Sequence, residues 1–228
     1  MVFPRPIRGV VFDMDGLLVD TETLIRDLMI ELAPAFGAPL PEDVFHRMVG
    51  LPNAESNAVA LSHFGSAFPL EAFQAEVSRR IHLACDAGIA LKAGALELLD
   101  HLDALGIPRA IATSSPPIAV QRTLGPSGIL PRFDAVVAAG DYARGKPNPD
   151  PFLVAAERLG VPAEDCLALE DSHNGVRAAH AAGMMTVMVP DLLHATDEMR
   201  EMTVAIADSL HHALELVDRY GRAMAGSA

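Results

Sequence analysis

The chain has 228 residues, half of them hydrophobic, enough to bury a substantial core as one large domain or as a core with an insert. Against 17 basic residues stand 30 acidic ones, a formal net charge of −13, and no basic run or basic–aromatic interleaving occurs, so a nucleic-acid partner is not expected. No apolar run reaches the about 18 residues of a membrane span, and the N-terminus enters a strand-like run with no room for a signal peptide, so a cytoplasmic protein without membrane contact is expected.

The first predicted strand is Val10-Val11-Phe12, which ends in the carboxylates Asp13 and Asp15 and then Gly16. A strand ending this way pushes both acids off the carboxyl edge of a sheet, where open α/β folds bind ligands. Two carboxylates so close repel each other, and the arrangement calls for a cation or a proton between them. A long block with mostly helical periodicity follows. Leu24, Leu28, Leu32 and Phe36 recur at four-residue spacing, an amphipathic helix closing near Gly37. Another helix starts at Pro41-Glu42-Asp43, and two more are predicted at about 53–63 and 70–84. Residues 19–91 thus read as a small α-helical domain inserted after the first strand, with linkers near 18–21 and 88–92.

From Ala93 onward helices and strands alternate. Helices are predicted at 94–105, 118–124, 149–159, 175–182 and 210–219, and strands at 108–112, 135–139, 166–169 and 185–189. This order predicts an α/β fold with a doubly wound parallel sheet, a Rossmann-like core made of 1–18 and 92–222, with 223–228 a disordered tail. Three of the segments end in reactive groups. The strand Arg109-Ala110-Ile111-Ala112 runs into Thr113-Ser114-Ser115. The loop Gly145-Lys146-Pro147-Asn148-Pro149-Asp150 carries one lysine ahead of a helix. The strand Leu167-Ala168-Leu169 runs into Glu170-Asp171-Ser172, before Asn174-Gly175. Cys85 and Cys166 lie far apart and form no metal-type pair, so both are expected as reduced thiols. The nine histidines show no metal-ligand spacing, and no Gly-x-Ser-x-Gly elbow surrounds Ser114.

In their order these segments resemble motifs one to four of the haloacid dehalogenase superfamily of phosphohydrolases, from Ile7 to about Pro190. The stretch Glu170-Asp171-Ser172-His173-Asn174-Gly175-Val176-Arg177 is similar to the branch that holds β-phosphoglucomutase and phosphatases of small phosphorylated metabolites. The resemblance implies phosphoryl transfer through an aspartyl-phosphate on Asp13, with Asp15 as general acid and then base. Thr113 would donate its hydroxyl to the phosphoryl group, helped by Ser114 and Ser115, and Lys146 would pair with Asp13 and a phosphate oxygen. The implied cofactor is Mg²⁺, held by Asp13, Asp171 and the backbone carbonyl of Asp15, with Glu170 a ligand or a group just behind. Simple dehalogenases of the superfamily lack an aspartate at the place of Asp15, which argues against carbon–halogen cleavage.

The helical insert resembles the cap that chooses the substrate, and Gly50 and Asn53 would face the substrate's organic end. The mutase has a histidine at the position of Ile25 and basic residues at those of Val49 and Asn53, cations that grip a second phosphate. Arg79 and Arg80 remain as basic groups of the cap, or as a solvated helix face. The expected function is therefore a phosphatase acting on a sugar, polyol or nucleoside monophosphate, working as a monomer. A phosphosugar mutase and a catalytically silent phosphate-binding protein are the alternatives.

Overall fold

The computed structural model describes residues 3–51 and 53–225, the side chains of 53 and 220–225 apart. The chain enters through β1 (Gly9–Phe12) and leaves at once for the helices α1 (Thr21–Leu32), α2 (Glu42–His46), α3 (Asn53–Phe64) and α4 (Leu70–Ala87). It returns through α5 (Ala95–Leu105), β2 (Arg109–Ala112), α6 (Pro117–Leu124), β3 (Ala135–Val137), α7 (Asp150–Leu159) and β4 (Cys166–Glu170). The remaining elements are α8 (His173–Ala181), β5 (Met185–Met188), α9 (Asp197–Met202), β6 (Ala205–Ile206) and α10 (Leu210–Ala225).

The strands form one parallel sheet in the order β3-β2-β1-β4-β5-β6. The strand order reverses between β1 and β4, so a crevice opens beyond their carboxyl ends, where such folds bind ligands. Both faces are covered, and the pleat divides the side chains between them. Val10, Phe12, Ile111, Leu167 and Leu169 face one layer with the α5 leucines and α10. Val11, Ala110, Ala112, Cys166 and Ala168 face the other, against Phe152 of α7 and the α8 alanines. The sheet face toward α7 and α8 is mostly alanine, and the opposite face carries the larger side chains. Burying Phe12, which meets Phe133 edge-on at 5.7 Å, stabilises by roughly 1.5–3 kcal/mol.

The cap has a core of its own, built on Leu32, Leu40, Phe45, Phe73 and Val77. Phe64 and Phe68 stack at 3.9 Å beside Phe73. Its two linkers pair with each other: Val19 and Leu91 form an antiparallel bridge, and the Lys92 N–H donates to the Leu18 carbonyl at 2.9 Å. The Lys92 ammonium then clamps Asp20 of one linker (3.2 Å) to Asp191 of the core (2.7 Å).

Two elements lie outside the sequence expectation. The helix α9 is capped by the Thr196 hydroxyl, which accepts from the Met199 N–H at 3.3 Å, with Asp197 and Glu198 in its first turn. The strand β6 has only two residues, too short for an alternation to register. The last helix runs to Ala225, so it takes 223–225 from the expected tail, while 226–228 lie outside the described residues. Among the described residues no helix is long and apolar enough to cross a membrane.

Candidate active site

Sheet register gathers the site. Phe12 pairs with Ile111 on one side and Leu169 on the other, and the Asp13 N–H donates to the Leu169 carbonyl at 3.0 Å, carrying the ladder one step past β1. Asp13 therefore stands at the strand end beside Glu170, with Thr113 just beyond β2. All three are buried. Lys146 arrives from the loop before α7, which is held by the Asn148 amide on the Gly145 carbonyl (3.0 Å) and by the Arg144–Asp150 pair (2.8 Å). Its ammonium donates to Asp13 and, at 2.5 Å, to Glu170, and lies 5.0 Å from the centre of the Phe152 ring.

Glu170 has no exposed surface, and both of its oxygens are engaged. One accepts from Lys146; the other accepts from the Ser172 N–H (3.1 Å) and hydroxyl (3.0 Å). Ser172 in turn caps α8, its oxygen accepting from the Gly175 N–H at 3.1 Å. Gly175 is a glycine because a Cβ there would fall on the Glu170 carboxylate. Gly16 has a φ of +81°, and a side chain on it would strike the Asp171 carboxylate, so glycine is needed on both counts. Asp13, Glu170 and Asp171 present oxygens that all lie within 4.8 Å of one another.

Asp15 is held apart from this cluster. It accepts from the Thr21 hydroxyl (3.0 Å), at the start of the cap, and from the Ser115 hydroxyl (2.8 Å). The Thr113 oxygen accepts from the Ser115 N–H at 3.0 Å, which leaves the Thr113 proton for a ligand. Ser115 is thus spent on Asp15 and Thr113, and Ser114 stands exposed next to Tyr142. Tyr142 donates to the Thr113 carbonyl at 3.1 Å.

Burial, reinforced by Glu170 and Asp15, lifts the Asp13 pKa to about 8 in spite of Lys146. Burial and the neighbouring Asp13 and Glu170 hold Asp171 well above the usual carboxylate range. Burial alone would lower Lys146, but Asp13 and Glu170 outweigh it and keep the ammonium charged. Three buried carboxylates thus share one lysine. An all-oxygen donor set short of positive charge fits a hard divalent cation, and Asp13 and Asp171 are the pair with oxygen left to give.

Toward the cap, a small cavity of about 60 Å³ runs from Asp171 past Glu22, Val49 and Gly50. The same three residues line a second cavity of about 490 Å³ inside the cap. The Asn174 amide donates to the Gly50 carbonyl at 3.3 Å, tying the cap loop to α8. Glu22 is held up to about 7 by burial and by Asp15 and Asp191. The side chain of Asn53 lies outside the described residues. Arg79 and Arg80 pair with Glu76 on the solvated face of α4. Sequence reasoning gave no site role to Thr21, Ser172, Glu22 or Lys92. Only Ser172 carries a local signal, as a serine at a helix start.

The model for the family of haloacid dehalogenase-like hydrolases matches residues 7–183. The chain is 34% identical over 209 residues to a probable pseudouridine-5′-phosphatase of Drosophila melanogaster, covering 89% of this chain and 90% of that one. It is 29% identical over 212 residues to a phosphorylated carbohydrates phosphatase of Thermotoga maritima, covering 93% and 97%. A solved structure of a putative beta-phosphoglucomutase from Thermotoga maritima is similar at a TM-score of 0.79 and 29% identity, covering 93% of this chain and 99% of that one. With its four site segments on one sheet edge, the chain belongs to the haloacid dehalogenase-like hydrolase family.

Proposed function

We propose that this chain, a phosphoric monoester hydrolase, is a Mg²⁺-dependent phosphatase for a small sugar-, polyol- or nucleoside-type monophosphate. The observation that carries the reading is the pair of carboxylates with separate surroundings. Asp13 lies in the lysine and carboxylate cluster, while Asp15 is steered away by Thr21 and Ser115. In the first step an Asp13 oxygen attacks phosphorus, the bond from phosphorus to the ester oxygen breaks, and Asp15 gives its proton to the departing alkoxide. In the second step Asp15 takes a proton from water, whose oxygen attacks the aspartyl-phosphate and releases inorganic phosphate. Lys146 keeps Asp13 poised and balances charge on the phosphoryl oxygens, to which Thr113 gives a hydrogen bond.

Asp13 and Asp171 would hold Mg²⁺, which supplies charge neutralisation for the phosphoryl group. Glu170, with both oxygens engaged, positions Lys146 instead of ligating. The wall of the cap cavity bears no lysine or arginine among the described residues, and Ile25 and Val49 are part of it. Among the described residues no cation is there to grip a second phosphate, which favours a phosphatase over a mutase. Asp13, Asp15 and Lys146 are all in place, which favours catalysis over silent binding. The free, buried Cys85 and Cys166 suit a cytoplasmic setting, and we take the working unit as a monomer.

The test is hydrolysis of para-nitrophenyl phosphate with and without Mg²⁺, then incubation with β-glucose 1-phosphate. Cation-dependent release of nitrophenol and of free phosphate is expected. Accumulation of glucose 6-phosphate without matching free phosphate would establish the mutase instead.

A further inference from the structure

The cap cavity has a divided chemistry. Ile25, Met29, Met48 and Val49, all half-buried, give it apolar walls, while Phe45 and Phe73 are buried beside them and Ser56 and Ser78 add hydroxyls. Asn57 of α3 and Gln74 of α4 meet at its rim, where the Gln74 amide donates to the Asn57 side-chain oxygen at 2.7 Å. That bond orients both amides and keeps the Asn57 N–H groups and the Gln74 carbonyl for a ligand, a donor and an acceptor side by side. Its one charged wall residue among those described is Glu22. Glu22 also lines the small cavity that touches Asp171, whereas Asn57 and Gln74 line the cap cavity alone. A path thus runs from the phosphoryl site past a carboxylate, between apolar walls, to a neutral amide pair.

Resting on the phosphatase reading, we propose that the cap cavity takes the base of a nucleoside monophosphate: Glu22 accepts from sugar hydroxyls, the apolar walls cover a flat ring, and Asn57 with Gln74 reads an amide-type edge of that ring. A polyol chain carries a hydroxyl on nearly every carbon, and those lying against the apolar walls, away from Glu22, Ser56, Ser78 and the amide pair, would go without partners, which costs binding. A flat heterocycle instead lays apolar faces on Ile25, Met29, Met48 and Val49, and its adjacent carbonyl and ring N–H match the free donor and acceptor of the amide pair. The volume of about 490 Å³ lies within the usual range for small-ligand sites, about 300–1,000 Å³. A second anion finds no cation on the described wall.

The experiment uses the full chain with Mg²⁺, and para-nitrophenyl phosphate reports phosphatase chemistry by itself. Values of kcat/KM are measured for pyrimidine nucleoside 5′-monophosphates, N-linked and C-linked, and for glucitol 6-phosphate. One of the nucleotides is expected to exceed glucitol 6-phosphate by at least about tenfold. Gln74→Met and Asn57→Leu, both at the cavity rim, should cut that preference about tenfold or more, chiefly through KM, because they strand the ring's polar edge. Calorimetry on Asp13→Asn reads the same preference without turnover. A preference for glucitol 6-phosphate, or equal losses for both substrates in the two variants, overturns the proposal. No turnover of para-nitrophenyl phosphate would overturn the phosphatase reading, while calorimetry would still decide what the cavity takes.

Discussion

Gly175→Ala tests how tightly the acidic cluster is built, because propensity and packing predict opposite signs. Gly175 lies in the first turn of α8, where alanine is favoured over glycine by about 0.8–1 kcal/mol in an open helix. Here the added methyl falls on the Glu170 carboxylate, which is fully buried and bonded to Lys146 and Ser172. Glu170 must swing away, and disrupting a buried pair costs about 3–5 kcal/mol. After the helix gain, the net loss is about 2–4 kcal/mol, a fall in Tm of roughly 4–16 °C for a chain of this length. Lys146 loses an anchor, so kcat should also fall, by about 10²-fold if its ammonium shifts by an ångström. Thermal unfolding by circular dichroism and steady-state kinetics read both effects. In a Glu170→Ala background the carboxylate that the methyl would strike is gone, and Gly175→Ala should become neutral or stabilising. A Gly175→Ala protein as stable as the parent, or equally destabilised in both backgrounds, would refute the packing account.

Asp13→Asn should lower turnover more than about a hundredfold with the circular dichroism spectrum unchanged, since an amide cannot attack phosphorus; retention of more than a hundredth of the rate would remove Asp13 as nucleophile. A chelator should abolish activity and Mg²⁺ restore it, and Asp171→Ala should raise the Mg²⁺ concentration needed, as read from activation curves; full activity in chelator would exclude this mechanism. Glu22, lifted from 4.5 to about 7 by burial, Asp15 and Asp191, binds its proton more tightly in the folded chain. Its contribution to stability is intact below pH 4.5 and is lost as pH rises through 7. Glu22→Gln should therefore match the parent near pH 4.5 and be more stable at pH 8, by no more than about 3 kcal/mol without divalent cation. A Tm difference that stays constant from pH 5 to 8 would contradict this.

Local patterns in the chain were enough for the sheet's direction, its crossovers and the cap. The apolar runs ending in Asp13, Thr113 and Glu170 are strand ends whatever the rest of the chain does, and Gly106, Gly160 and Gly183 punctuate the helices. Asn174-Gly175 reads from sequence as a helix start, and so it is. Its further role, a missing Cβ beside Glu170, depends on how α8 lies against β4. The helix α9 and the two-residue β6 escape because one is short and the other has no period to detect.

What the sequence determined by itself is which chemistry is present, since hydroxyl, lysine and carboxylates stand at strand ends or in the loop before a helix, and a parallel sheet sends every such end to one edge. What only the tertiary structure decided is how those groups divide the work. Glu170 faces Lys146 and Ser172, Asp15 is drawn to Thr21 and Ser115, and Glu22 joins the cap cavity to Asp171. Each of those contacts except Glu170 with Ser172 crosses from one element to another. They depend on the angle at which helix and sheet pack, a quantity that no local run of residues encodes.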